Sequence, residues 1–392
     1  MRVLVVDPSS FTLPYDHCLC QGLSQAGCEV ALACSQFVYG EWNQEGDYER
    51  WEHFYRLTNR LYRGRPSGAL RSAVKAVEHG LDTARFVRAL DAWRPDVVHY
   101  QWLPLPVIDR PALAVMGRRY PLVFTLHNTN AFHGTGKGIQ ARGFQQACRQ
   151  FDHLIAHTEY TRGEAVSRMG LDPSIVGVIP HGVFDYYRQS LSYGTSLEIG
   201  MLEVLFFGVL KEYKGLDLLI RAFASLPETV RRRTRLRVAG YPSVSAQPYQ
   251  LLAHELGIAE SVVWDLRFVP ESEVASVFVR ATIVCLPYKD VDQSGVLLTA
   301  LAFAKPIVAS RIGGFPETIQ DGVHGYLVQP GSVSELAAAL GRVLEDEGLR
   351  QRMGESVRRL ADTTLSWREI GRATADLYDR MVAGSKKLDE SS

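Results

Sequence analysis

Two kinds of apolar pattern alternate along this chain. Short β-branched and aliphatic runs, RVLVV (2–6), CEVALAC (28–34), DVVHY (96–100), LVFTLH (122–127), HLIAH (153–157) and IVGVIP (175–180), are separated by stretches with helical spacing. Runs without polar alternation predict strands buried on both faces, and their alternation with helices predicts a parallel, doubly wound sheet. A polar, glycine-containing segment, Tyr187 to Gly200, follows and reads as a linker. The alternation then restarts with EVLFFGV (203–209), RLRVAG (235–240), SVVWDLRF (261–268), TIVCLP (282–287), PIVAS (306–310) and GYLV (325–328). Two Rossmann-like α/β domains are expected, over 1–190 and 200–365. Trp367, Ile370, Leu377 and Met381 recur at helical spacing and predict a last helix over about 366–383, with Ser385 to Ser392 expected to be disordered.

A length of 392 residues with 46% hydrophobic and 22% charged residues agrees with two globular domains. Lys+Arg and Asp+Glu balance at 43 each, so no global basic field points to nucleic acid, and an anion site has to be local. The first apolar run is too short for a signal peptide and no run reaches the length of a membrane span; a cytoplasmic protein with reduced cysteines is expected. Cys18, Cys20, Cys28 and Cys34 crowd together without a C-x-x-C pair and read as small buried apolar residues rather than a zinc site. Neither domain carries G-x-G-x-x-G, which lowers the case for a nicotinamide or flavin cofactor; no cofactor is expected.

Open α/β sheets bind ligands beyond the carboxyl ends of their strands, so the polar residues ending each strand deserve the closest reading. They are His127, Lys211 with Lys214, and the loop Asp290 to Gly295. In FFGVLKEYKGLDLLIRAF a strand ends at Gly208, two lysines follow, and a helix opens near Gly215; two cations beside a helix start can neutralise a diphosphate without a metal. Ser294-Gly295 opens another helix whose bare first residue lets an anion approach the N–H groups. Solubility lysines and an ordinary N-cap account for each feature singly. Their repetition on one ligand face favours a phosphate site.

These stretches resemble the retaining glycosyltransferases of family 4, through FFGVLKEYKG, FVPESEVASVFVRATIVCLPY and SGVLLTALAFAKPIVASRIGGFPETIQDGVHGYLV, and more loosely through PYDHCLCQGLSQAGCEVAL, TLHN and IPHG. The resemblance covers essentially the whole chain. It implies the GT-B fold: two facing Rossmann-like domains, an acceptor domain first and a nucleotide-sugar donor domain second, with the last helix crossing back to the first. It further implies that Gly208, Lys211 and Lys214 meet the diphosphate and that Ser294, Gly295 and Val296 cap the distal phosphate and sugar. His127 would face the sugar near the reaction centre, and Arg267, Phe268 and Val269 would hold the base.

Many members carry two glutamates eight residues apart at this glycine, where Val291 and Thr299 stand here. Asp292, with Asp290 nearby, is the candidate replacement for the first, and Thr299 retains a hydroxyl for the ribose. Val209 occupies the place of a phosphate-binding arginine, a role left to Lys211, which is a point charge and not a bidentate fork. Asp290-Val291-Asp292 also spells the D-x-D by which a different glycosyltransferase fold holds a metal, but lysines and helix ends already supply the cation, and no metal is expected.

The reading is a retaining transfer of a hexosyl group from a UDP or GDP sugar to the hydroxyl of an unidentified glycan, lipid-linked or small-molecule acceptor. A nucleotide-sugar epimerase of the same fold and a non-catalytic partner subunit are the alternatives. One stretch, Arg56 to Lys75, holds five arginines and a lysine without an acid; it suits an anionic acceptor or peripheral contact with the inner face of a membrane, and equally a solvated loop.

Overall fold

The computed structural model describes residues 1–38, 42, 44–62, 68–129, 143–190 and 200–389. Its contacts divide the chain into one unit of Met1–His181 with the segment from Trp367, and a second of Gly182–Ser366. The boundary falls before the expected linker, most of which (191–199) lies outside the described residues. Residues just after His181 join the second unit through specific bonds: Val183 N–H donates to the Leu365 carbonyl (3.0 Å) and Arg188 bonds the Ala302 carbonyl.

The first unit is a seven-stranded parallel sheet with strands β1 (Arg2–Asp7), β2 (Glu29–Ser35), β3 (Glu49–Phe54), β4 (Val97–Tyr100), β5 (Leu122–Leu126), β6 (His153–Ala156) and β7 (Val176–Val178). They run in the order β3-β2-β1-β4-β5-β6-β7. Helices α1 (Leu13–Gln25), α2 (Arg56–Leu61), α3 (Ala69–Trp93), α4 (Pro106–Met116), α5 (Phe144–Cys148) and α6 (Glu159–Met169) connect them. Six of the strands match the apolar runs. The seventh, β3, escapes the pattern because it is an edge strand paired only with β2, and its sequence ERWEHF needs no doubly apolar face.

The second unit has β8 (Leu202–Phe207), β9 (Thr234–Ala239), β10 (Val262–Asp265), β11 (Ile283–Leu286), β12 (Ile307–Ser310) and β13 (Gly325–Val328), ordered β10-β9-β8-β11-β12-β13 and all parallel. Its helices are α7 (Leu216–Ala224), α8 (Glu228–Arg231), α9 (Gln247–Glu255), α10 (Glu271–Arg280), α11 (Gly295–Ala302), α12 (Phe315–Thr318), α13 (Val333–Glu345) and α14 (Glu347–Asp362). The strand order reverses between β8 and β11. Ligands of open sheets lie at such a reversal, and the loops after these two strands hold the lysines and the Ser294-Gly295 turn.

The last helix, α15 (Trp367–Asp389), belongs to the first unit and runs past the expected 383, so 385–389 are helical where disorder was expected, and 390–392 lie outside the described residues. Trp367, Ile370, Leu377 and Tyr378 are buried along it. It crosses α1 backbone to backbone: a β-carbon on Gly22 would lie 2.2 Å from the Trp367 carbonyl oxygen, and one on Gly371 2.2 Å from Gly22. Each fully buried Val or Leu of either core contributes roughly 1.5–3 kcal/mol, and such residues fill both faces of β1 and β11.

Candidate functional site

In the second unit the strand-end loops converge on Lys214. Gly208 follows β8 with φ +97, a conformation that glycine adopts without a β-carbon penalty, and its N–H donates to the Ala239 carbonyl at 2.9 Å. A β-carbon there would stand 2.9 Å from Lys214 Nζ and 3.4 Å from Val296 Cγ2. The lysine, the bare strand end and the first turn of α11 therefore share one small volume. Gly240 closes the back of this loop, since a β-carbon on it would meet the Gly208 carbonyl oxygen at 2.1 Å.

Lys214 is delivered by a 3₁₀ turn, Glu212–Lys214, ended by Gly215 at φ +69 against the Pro287 carbonyl. The side chain is buried; Nζ lies 3.5 Å from the Phe207 carbonyl oxygen and 5.5 Å from the centre of the Tyr288 ring. Burial and the neighbouring Lys211 charge push its pKa down to about 8. An ammonium with so few protein partners is ready to gain stabilisation from an incoming anion. Lys211 is half-buried, its Nζ 5.8 Å from the Tyr213 ring centre.

Helix α11 begins as the sequence suggests. Ser294 is the N-cap, its hydroxyl accepting from Leu297 N–H at 3.4 Å, and Gly295 is exposed with only the Phe184 ring edge, 3.4 Å from an added β-carbon. Val296 is half-buried beside Lys214. Thr299 is buried and donates its hydroxyl to the Gly295 carbonyl at 2.8 Å, so what it has left for a ribose is acceptor capacity. Asp290 is exposed, while Asp292 is half-buried and its carbonyl accepts from Gly314 N–H at 3.1 Å, anchoring the loop before α11.

The Arg267 guanidinium is bound by Asp265 (2.8 Å) and Glu273, Phe268 is exposed and Val269 buried. With the arginine side chain so engaged, a ligand beside β10 would meet main chain more readily than guanidinium. Two residues near this site gave no signal in the sequence reading. Tyr288, two residues beyond β11, packs under Lys214; its buried hydroxyl lies within electrostatic reach of Ser294 but meets no hydrogen-bond geometry among the described residues. Phe184 covers the side of Gly295. Surface cavities of about 400 and 380 Å³ along β13 and α12 contain none of the expected site residues.

In the first unit His127 stands just past β5. Its Nε2 bonds the Gln101 Oε1 at 3.0 Å, which makes Nε2 the protonated nitrogen and leaves Nδ1 as an acceptor. Gln101 in turn donates to His99 Nε2 (3.3 Å), and His99 Nδ1 meets the Tyr378 hydroxyl of α15 at 2.6 Å. The ring stacks on Trp102 (centroids 5.2 Å) and meets the Tyr15 ring edge-on at 4.7 Å. Burial, reinforced by His157, His181 and His99, holds its pKa well below the ordinary histidine value, so it is neutral. TLH, IAH and IPH follow three successive strands, and the strand order sets His127, His157 and His181 together, with His127–His157 and His157–His181 centroids 5.6 and 5.0 Å apart.

Among the described residues no group of three or more His, Cys, Asp or Glu is arranged to hold a metal, and no helix is long and apolar enough to cross a membrane. Of the basic stretch, 63–67 lie outside the described residues, and Lys75 turns inward with Nζ 4.2 Å over the Tyr55 ring.

Comparison with known proteins gives one consistent answer. The family described as Glycosyl transferases group 1 matches residues 200–360, and the one described as Glycosyltransferase Family 4 matches 17–184. A D-inositol 3-phosphate glycosyltransferase of Streptomyces bingchenggensis is 30% identical over 358 residues, 83% of this chain and 75% of that protein. Sucrose-phosphate synthase of Thermosynechococcus elongatus superposes with a TM-score of 0.68 at 17% identity, covering 98% of this chain and 100% of that one. HepE of Anabaena, solved in complex with UDP-glucose, superposes with a TM-score of 0.65 at 17% identity over 97% of this chain and 100% of its own.

Proposed function

The chain belongs to glycosyltransferase family 4, the group 1 glycosyl transferases, with the GT-B fold, and from that premise we propose that it is a retaining hexosyltransferase using a UDP or GDP sugar. The observation that carries the donor site is the convergence of Gly208, Lys214 and Val296 at the strand-order reversal of the second unit. The second unit takes the donor, with Lys211, Lys214 and the α11 start on the diphosphate, Asp292 toward the sugar, and the Arg267–Val269 main chain on the base. The first unit takes the acceptor, and the neutral His127 offers Nδ1 to a sugar hydroxyl.

In the reaction the bond between the anomeric carbon and the diphosphate oxygen breaks, and the electron pair stays on that oxygen. The two lysines and the N–H groups of α11 stabilise the charge growing there, the largest single lever available to such a site. The acceptor oxygen bonds the anomeric carbon from the face the phosphate leaves, and its proton passes to the departing phosphate. The reading uses no metal and no cofactor, and places the enzyme in the cytoplasm, where nucleotide sugars are made.

The test is thermal-shift screening against UDP and GDP sugars, since a ligand at a hundred times its dissociation constant adds ~2.7 kcal/mol of stability. The stabilising donor then enters a transfer assay with polyol phosphates, suggested by the named relatives, and with glycan and lipid acceptors. Product should form with retained anomeric configuration and in excess chelator. Inverted product, or activity abolished by chelator and rescued by manganese, would falsify the mechanism.

A further inference from the structure

We propose that the outer face of α2 and α3 in the first unit docks this protein onto an anionic lipid surface. Leu57, Leu61, Leu70, Val77 and Leu81 are each between 51% and 70% exposed, a concentration of large apolar side chains within 25 residues. Leu70, Val77 and Leu81, with the half-buried Val74 between them, follow the i, i+4, i+7, i+11 spacing of a single helical stripe. An exposed apolar stripe on a helix that already buries another face is unusual for a surface that meets only water.

The charge around the stripe has one sign. Arg56, Arg60 and Arg88 are exposed, and Arg85, also exposed, pairs with Asp82 at 3.4 Å. Between Arg56 and Leu90 the acids are Glu78 and Asp82, and both are buried. Glu78 accepts from the Leu57 and Thr58 N–H groups at 2.6 and 2.8 Å, capping the start of α2, and Asp82 accepts from Tyr55 N–H at 2.9 Å. These bonds fasten α2 to the flank of α3, so the two sets of exposed leucines and arginines adjoin. Acids at the margins are already paired: Glu52 with Arg50 at 3.5 Å and Asp91 with Arg119 at 2.8 Å. Folding thus turns a mixed sequence into a surface of apolar residues and arginines, the composition of helices that lie in the lipid interface.

A second copy of the chain fits this face less well, because a two-fold contact would set arginines against arginines. With no membrane-crossing helix among the described residues, attachment is peripheral and reversible. The surface is independent of the transfer reaction, so its test needs neither donor nor acceptor and stands apart from the proposed activity.

The test is co-sedimentation of the whole chain with vesicles of phosphatidylcholine alone or mixed with phosphatidylglycerol. Binding is expected to the mixed vesicles only and to fall with added salt. Arg56→Gln with Arg60→Gln should weaken it about thirtyfold, at ~1 kcal/mol per charge. Leu70→Ser with Val77→Ser should weaken it at least as much, while the melting temperature stays unchanged. Equal sedimentation with both vesicle types, none at low salt, or self-association in solution that the leucine substitutions abolish would each overturn the proposal.

Discussion

The amino group of Lys214 lies 2.9 Å from the place where a β-carbon on Gly208 would be. The missing side chain is what lets a buried cation reach the end of β8 beside Val296. Gly208→Ala would strain a φ of +97 and push the ammonium aside, so donor affinity should fall at least tenfold by calorimetry with UDP or GDP.

Lys214→Ala should lower turnover roughly a hundred- to a thousandfold, the scale for loss of one preorganised charge-stabilising donor. Lys211→Ala should cost the same or less. A transfer assay on the folded variants decides it, and an ordinary rate in Lys214→Ala would remove the diphosphate site.

Lys214 also sets a pH dependence. With its pKa at about 8 the free enzyme loses this charge as pH rises through that value, so kcat/KM should fall on the alkaline side near 8, and the limb should vanish in Lys214→Ala. For stability the sign is opposite. Between about 8 and the ordinary 10.5 the unfolded chain holds the extra proton, so this group makes the fold more stable as pH rises through that window.

Gly295→Val and Asp292→Ala should separate binding from chemistry. Only the Phe184 ring edge, at 3.4 Å, meets an added β-carbon at Gly295, so the fold should persist while the N–H groups of α11 lose their approach to phosphate. Calorimetry should find nucleoside diphosphate binding lost in Gly295→Val but kept in Asp292→Ala, whose transfer rate should collapse. Unchanged affinity in the first would leave the glycine a packing residue.

Two buried histidines, His99 and His157, and the half-buried His127 make the first unit acid-sensitive. His99 and His157 are held down to about 3 and about 4, and His127 lies well below 6.5, in each case chiefly through burial. Below 6.5 the unfolded chain takes up protons that the native one refuses, so stability falls with pH by up to ~1.4 kcal/mol per unit per histidine. Thermal melts from neutral to acid pH should steepen there, and His157→Asn should flatten the slope. An unchanged slope in that variant would assign the acid sensitivity elsewhere.

Both alternating domains were legible in the apolar runs, because a strand buried on two faces has to be apolar throughout. β3 was not, because an edge strand is free of that demand. The loops proposed to hold phosphate were legible as local structure, because a glycine at a strand end, lysines within one turn and a capped helix start are all short-range signals. The partners of His127 were not, since Gln101 and His157 reach it only through the order of strands in the sheet, and Tyr378, which bonds His99 behind Gln101, only through the return of α15. The same holds for the face of α2 and α3. Its arginines stand in the sequence, but only the fold takes Glu78 and Asp82 inside to cap backbone groups, leaving the cations and leucines outside. What sequence alone determined was each element and its local chemistry; tertiary packing decided which charges stay paired inside and which remain for a partner, because burial is a property of neighbours far along the chain.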